Sequence, residues 1–108
     1  MTDLLKRRTR SQLKLALLND CACLKTLAEL EHDARLSGLT GAEIDAALGG
    51  RSFEAMTSVA ISFACAAKGG EPEQVAAARA RAMRLGMSGQ ELDEIARETS
   101  RILVEAGR

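Results

Sequence analysis

Two cysteines separated by one residue, Cys21 and Cys23, have the type and spacing in this chain that most favour chemistry. They stand where the hydrophobic pattern predicts the start of a helix, and the positive end of a helix dipole lowers the pKa of a thiol. In a regular helix, residues two apart point about 200° away from each other, so a disulfide between them requires the helix end to fray. Cys23 also lies on the apolar stripe of that helix. Two interpretations therefore stay open: a small core residue or a reactive thiol.

The other candidate residues lie near this pair or in the most apolar segment of the chain. His32 and Glu29 are the candidate proton acceptors if a thiol of the pair reacts, although the acidic surroundings of His32 favour an exposed histidine. Glu29 and Asp33 share a helix face, but the chain offers no set of ligands with the spacing of a metal site. Cys65 is predicted to be a core thiol, and neither a cofactor nor a metal is expected.

The composition predicts a single all-α domain over residues 1–108. The chain contains 19 alanines, one proline, two phenylalanines and no tryptophan or tyrosine, which is typical of a helical protein. Its 15 basic and 15 acidic residues balance, so no overall field draws it to nucleic acid or to an anionic membrane. The sequence shows no secretory signal and no apolar run long enough to span a bilayer, so we expect a cytoplasmic protein with reduced thiols.

Two segments 48 residues apart, 38–45 and 86–93, carry the same signals for the end of one helix and the start of the next. They read GLTGAEID and GMSGQELD. Each begins with a glycine that suits the left-handed position at a helix end, and continues with Thr or Ser followed by Glu in a capping box. The same offset places Leu13 on Ile61 and aligns further apolar residues. The pattern predicts a duplicated helical unit of about 48 residues in a pseudo-symmetric bundle.

Hydrophobic periodicity and capping signals predict about six helices, over residues 3–19, 21–37, 41–48, 53–67, 72–85 and 89–106. The fourth helix, capped by Ser52, is apolar on nearly every side. Its predicted inward stripe consists of Phe53, Met56, Ala60, Phe63 and Ala67. The fifth helix is predicted to turn Leu85 inward. The charges of the sixth are predicted to form a solvated face of three pairs: Glu94 with Arg97, Glu98 with Arg101, and Arg101 with Glu105. Because an apolar helix must be covered on all sides, we expect a homo-oligomer: a dimer, trimer or hexamer.

Basic residues cluster near the start of the chain, at positions 6–8, 10 and 14. We interpret them as a solvated helix face that pairs with acidic residues elsewhere, because a nucleic-acid interface calls for more positive charge and for stacking aromatics. The run Gly-Leu-Thr-x-x-Glu-Ile also opens many helix-turn-helix units, so a helical interaction module, including a DNA binder, is one alternative. The helix that would enter the groove, 53–67, has almost no polar or basic side chains, which disfavours it.

Residues 34–44, which read ARLSGLTGAEI, resemble the A-R-x-x-G-L-S-x-x-E-I run of the carboxymuconolactone decarboxylase and AhpD-like alkylhydroperoxidase families. The resemblance covers about residues 10–104. It implies a compact all-α AhpD-like fold, often with an internal pseudo-repeat, and assembly into homo-oligomers. These families carry C-x-x-C-x-x-x-H at the start of a helix, and counting back from Gly38 places the first cysteine of that motif on Cys23.

The chain departs from the family at the other functional positions. The second cysteine falls on Thr26, the histidine on Leu30 and the glutamate of the proton relay near Ser11. Cys21 fits only with a local gap, and His32 lies two residues from the expected place. Because the peroxidase reaction needs a second thiol and a base, that activity is not expected.

We therefore predict a divergent family member that acts as a homo-oligomeric binding or structural protein, with a small-molecule ligand left open. The alternatives are a residual thiol-dependent peroxidase or oxidoreductase that uses Cys23 or Cys21, and the helical interaction module.

Overall fold

Six α-helices run through the computed structural model, which describes residues 7–20 and 24–107. They are α1 (Arg7–Leu17), α2 (Leu24–Leu36), α3 (Gly41–Leu48), α4 (Ala55–Gly69), α5 (Pro72–Arg84) and α6 (Gly89–Glu105). No strand occurs in the described ranges, which confirms the predicted all-α class. The predicted starts of the first two helices, together with Cys21 and Cys23, lie outside these ranges. Within the same part of the chain, no helix combines the length and the apolar character that crossing a bilayer requires.

The main hydrophobic core lies where α4 packs against α1, α5 and α6. Leu13 of α1, Ile61 of α4 and three residues of α6 are at most 2% exposed, the last three being Leu92, Ile95 and Ile102. The α6 residues recur at spacings of three and seven, which puts them on one face of the helix. Burying each such side chain contributes about 1.5–3 kcal/mol, so this face holds α6 against α4.

Helix α1 is buried on two sides, because a second, smaller cluster lies opposite the main core. Leu15 of α1 packs there against Ala34 of α2, Leu39 of the connecting corner and residues of α3. Gln12 and Leu18 are buried as well. Since α1 packs against α2, α3, α4 and α6, its position sets how the two halves of the chain meet.

The two predicted corners end α2 and α5 in the same hydrogen-bonded motif. Gly38 and Gly86 have φ angles of 94° and 106°, the left-handed conformation that glycine adopts without strain. In each corner the amide after the glycine donates to a carbonyl in the last helical turn, which is the Schellman arrangement. These bonds join Leu39 N to Ala34 O at 3.1 Å and Met87 N to Ala82 O at 3.0 Å. All four of these side chains are buried.

Both predicted capping boxes are present and open the helices that follow the corners. The hydroxyl of Thr40 accepts from the Glu43 amide, while the Glu43 carboxylate accepts from the Thr40 amide at 2.9 Å. Ser88 and Glu91 make the same two bonds at the start of α6, each at 3.0 Å. The backbone N–H of Thr40 holds the pKa of the Glu43 carboxyl below its usual range.

The helix ends at the two corners keep the 48-residue offset. α2 ends at Leu36 and α5 at Arg84, while α3 begins at Gly41 and α6 at Gly89. Helix α1 packs against α2 and α3, and α4 packs against α5 and α6. A duplicated unit predicts these correspondences, and the duplication itself remains a prediction.

The predicted start of α4 is wrong. The helix begins at Ala55, and its N-cap is Glu54, whose side chain makes no capping hydrogen bond. Ser52 does not cap the helix because its hydroxyl donates to the buried Gln12 amide oxygen at 2.6 Å and accepts from the Glu54 amide at 3.1 Å. The hydrogen bonds of Ser52 therefore fasten an irregular turn to α1.

Three side chains predicted to point inward are exposed. Phe53 precedes α4 and is 71% exposed, and Met56 in its first turn is 42% exposed. Leu85 is 53% exposed because α5 ends one residue earlier and Leu85 is its C-cap. Ala60 and Phe63 are buried as predicted.

Arg8 ties α1 to the first corner. Its Nη1 donates to the carbonyl of Gly38 at 2.6 Å, and its Nη2 lies 2.5 Å from Glu43 Oε2 and 3.5 Å from Glu54 Oε1. A Cβ added at Gly38 would lie 3.3 Å from Arg8 Nη1, whereas one added at Gly86 would meet nothing within 4 Å.

We expect Gly38→Ala to destabilise the protein more than Gly86→Ala. Each substitution forces a side chain into the left-handed conformation, at a cost of about 1–2 kcal/mol. At position 38 the methyl group also displaces the Arg8 guanidinium from its hydrogen bond. Urea denaturation measures both losses, and the excess at position 38 should vanish in an Arg8→Met background. An equal loss at the two positions would show that the Arg8 contact adds nothing.

Candidate functional site

Two of the predicted site residues, His32 and Glu29, lie within the part of the chain that the structure describes. His32 and Glu29 are exposed on α2, where they line a shallow depression with Ala28 and Asp33. Within residues 7–20 and 24–107, no group of three histidine, cysteine or carboxylate side chains is placed to hold a metal. Cys21 and Cys23 lie outside the described residues, so their relation to His32 and Glu29 remains a prediction.

Cys65 is exposed, so the prediction that it is a core thiol is wrong. Its neighbour Ala64 faces the core, while Cys65 lies on the outer side of α4. Partial desolvation raises the pKa of the Cys65 thiol above its ordinary value of 9.0, and the charge of Lys68 opposes this shift.

A cleft between α1, α2 and α6 is lined mostly by charged and hydroxyl side chains. It has a volume of about 310 Å³, and we call it the basic cleft. It is lined by Arg7, Arg10, Ser11 and Lys14 of α1, Leu30 and Asp33 of α2, Ser37 beyond its end, and Arg101 of α6. The α1 residues follow the spacing i, i+3, i+4, i+7, which places all four on one face of the helix.

The buried carboxylate of Glu98 holds two arginines of the basic cleft. Its side chain is 7% exposed, and Arg101 binds it through two nitrogens, with Nε 3.2 Å from Oε2 and Nη2 bonded to Oε1. Arg10 Nε lies 3.5 Å from Oε1. A carboxylate removed from water needs such cationic partners, so the interaction fastens α1 to α6. The hydrogen bond with Glu98 raises the pKa of Arg101 above its usual value.

This burial corrects the prediction that Glu98 belongs to a solvated face. The predicted pairs of Arg101 with Glu98 and Glu105, and of Glu94 with Arg97, are all present. A sequence signal for the burial exists, because Glu98 lies three residues after Ile95 and four before Ile102, on the edge of the apolar stripe of α6.

Two serines connect α1 to α2 inside the basic cleft. The Ser37 hydroxyl donates to the carbonyl of Asp33 at 3.0 Å, and its oxygen lies 2.8 Å from the Ser11 hydroxyl. A hydroxyl has one proton, so Ser11 is the donor in that second bond. The Ser11 oxygen keeps its lone pairs, and neither serine has a proton left for a ligand in this arrangement.

The charges of the basic cleft do not balance. Arg10 and Arg101 share the one carboxylate of Glu98, and Arg101 also binds Glu105. Within residues 7–20 and 24–107, the structure gives no ion pair for Arg7 or Lys14. The predicted pairing of the basic stretch with acidic residues is therefore confirmed for Arg8 and Arg10, while it stays a prediction for Arg7 and Lys14. Four cationic side chains and one carboxylate line the cleft, so its lining carries excess positive charge.

Comparison with known proteins leaves the family open. The chain matches no protein-family model, no curated protein and no solved structure. Three of the positions that the AhpD-like resemblance names line neighbouring depressions, while Cys23 lies outside the described residues. Ser11 and Leu30 line the basic cleft, and Thr26 lines an adjoining depression together with Leu30 and Lys14.

We expect Glu98→Gln to destabilise the protein by about 2 kcal/mol, because it leaves Arg10 and Arg101 without their shared carboxylate. Glu94→Gln is the matched control, since it removes an exposed i,i+3 pair with Arg97 and should cost less than about 0.5 kcal/mol. Thermal and urea denaturation measure both variants. Similar losses in the two variants would contradict the role given to Glu98.

Proposed function

We propose that this protein is a divergent relative of the AhpD-like and carboxymuconolactone decarboxylase families that lacks dithiol peroxidase activity and acts as a homo-oligomeric binding protein. The observation that carries the proposal is the shared location of Ser11 and Leu30 in the basic cleft. In the family resemblance the histidine falls on Leu30 and the relay glutamate falls near Ser11.

The side chains at these positions support binding over proton transfer. A general base must accept a proton near neutral pH, which neither a serine hydroxyl nor a leucine side chain does. Ser11 already donates to Ser37. The charged groups that remain in the basic cleft are suited to holding an anion.

An exposed apolar surface supports self-association. Four exposed side chains lie on or beside α4 and α5: Phe53, Met56, Met83 and Leu85. A groove of about 500 Å³ runs between the two helices and is lined by residues that include Val59, Phe63 and Ala77. Of the four exposed side chains, Leu85 lines this groove. We call the groove and its lining the α4–α5 face, and apolar surfaces of this kind mark interaction sites.

The charges of α5 favour a second copy of the chain as the occupant of the α4–α5 face. Glu73 stands in the first turn of α5, and Arg81 and Arg84 stand in the last. All three are exposed and have no ion pair among the described residues. If the α5 helices of two copies packed antiparallel about a twofold axis, Glu73 of each copy would lie opposite Arg84 of the other. The alanines of α5 would allow the two helices to approach closely.

The DNA-binding alternative gains no support from the packing of α4. A recognition helix needs one face free to enter the major groove. Helix α4 packs against α1, α5 and α6, and its exposed side carries Met56 and Cys65 in place of basic residues.

We expect the wild-type protein to form a stable oligomer and Leu85→Glu to shift it to monomers, because Leu85 lines the groove and a charge there would be buried in the α4–α5 face. Val104→Glu is the control, since Val104 is 74% exposed on α6, outside that face. Analytical ultracentrifugation measures the masses. Glu73→Arg should weaken the oligomer, and adding Arg84→Glu should restore it. A monomeric wild type would refute the proposed assembly.

We expect that the protein does not consume hydroperoxide catalytically and that adding hydroperoxide leaves the number of free thiols unchanged, because the relay positions hold no base. The measurement is a thiol titration before and after a stoichiometric hydroperoxide, on wild type, Cys21→Ser and Cys23→Ser. Each is prepared in a Cys65→Ser background, which removes the exposed thiol on α4. If peroxide removes two thiols and either substitution blocks the loss, the thiol-dependent peroxidase is the correct function.

A further inference from the structure

We infer that the basic cleft binds a small organic anion through carboxylate or phosphate oxygens, an inference that rests on the binding role proposed above and gives it a ligand class. Four cationic side chains and one carboxylate line the cleft. Its volume of about 310 Å³ is that of a small-metabolite site.

Two of the cations are available for a ligand. Arg7 and Lys14 have no ion pair within residues 7–20 and 24–107, although both lie on the face of α1 that lines the cleft. They are seven residues apart, which is about 10.5 Å along the helix axis. Their long side chains converge on an anion from two directions, or hold the two ends of a dianion.

The other two cations are positioned before any ligand arrives. The Glu98 carboxylate fixes the guanidinium of Arg101 through two hydrogen bonds and attracts Arg10 on its other side. Arg101 also binds Glu105, and both arginines line the cleft. The cleft therefore offers positive charge in a fixed geometry, which reduces the entropy lost when an anion binds.

The uncharged residues complete the site and limit what the cleft recognises. Leu30 provides an apolar wall for the carbon skeleton of a ligand. The hydroxyl protons of Ser11 and Ser37 are already used, so the cations carry the recognition of the oxyanion groups. The Asp33 carboxylate repels negative groups near α2, so the oxyanion of the ligand is expected to bind on the α1 side of the cleft.

The experiment is isothermal titration calorimetry of the full-length protein with inorganic phosphate, pyrophosphate and succinate at low ionic strength. We expect at least one probe to bind, with an affinity that falls as salt is added. Lys14→Gln and Arg7→Gln should each weaken binding about tenfold through the loss of one charge-assisted hydrogen bond. Preference for the phosphates or for succinate identifies which oxyanion group the site takes.

Arg51→Gln is the matched control, because Arg51 is exposed, lies outside the cleft and carries the same charge. It should change the affinity less than twofold, and circular dichroism checks that all variants remain folded. The inference is overturned if no probe binds to wild type, if both cleft variants bind as wild type does, or if Arg51→Gln weakens binding as much as they do. The oligomer mass and the peroxide assay do not depend on these probes. The proposed function is therefore tested independently of the inference that the cleft binds an anion.

Discussion

Burial of the Glu98 carboxylate between α1 and α6 constrains the rest of the molecule, because a charge removed from water must keep its cationic partners close. Arg10 meets this requirement from α1 and Arg101 from α6. On the opposite flank, Arg8 joins α1 to the corner between α2 and α3. These ion pairs and the two hydrophobic clusters, one on each side of the helix, fix the position of α1 in the fold. The basic cleft forms along the polar face of α1.

The same constraint links structure to the proposed function. Glu98 holds Arg10 and Arg101 in place, and the neighbouring Arg7 and Lys14 add further positive charge to the cleft. The AhpD-like resemblance places its relay at Ser11 and Leu30, within the same cleft. The proposed divergence therefore amounts to a change of chemistry at one location, from moving a proton to holding an anion.

Features that depend on a few adjacent residues were predictable from the sequence. The capping boxes and the positive-φ glycines need only four to six residues to form, and α3 has the predicted bounds of 41–48. Features that depend on distant partners were not. Ser52 has the residue type of a helix cap, yet Gln12 of α1 competes for its hydroxyl. Periodicity showed that α4 is apolar but not how many neighbours it has, so the exposure of Phe53 and Cys65 was missed. For the candidate site, the sequence shows the α1 cations as a basic stretch. That they line one cleft with Arg101 depends on how α6 packs against α1, which the sequence does not show.

The two Schellman corners have a consequence for how the chain reaches this structure. Each corner closes hydrogen bonds and a buried apolar contact over about ten residues, from Ala34 to Glu43 and from Ala82 to Glu91. Contacts at such short separation form with little loss of loop entropy, and topologies rich in them fold quickly. The chain thus contains two places where folding can begin independently, one in each half. Packing α1 against α6 and enclosing the carboxylate joins residues far apart in the sequence, so this contact costs more loop entropy than either corner.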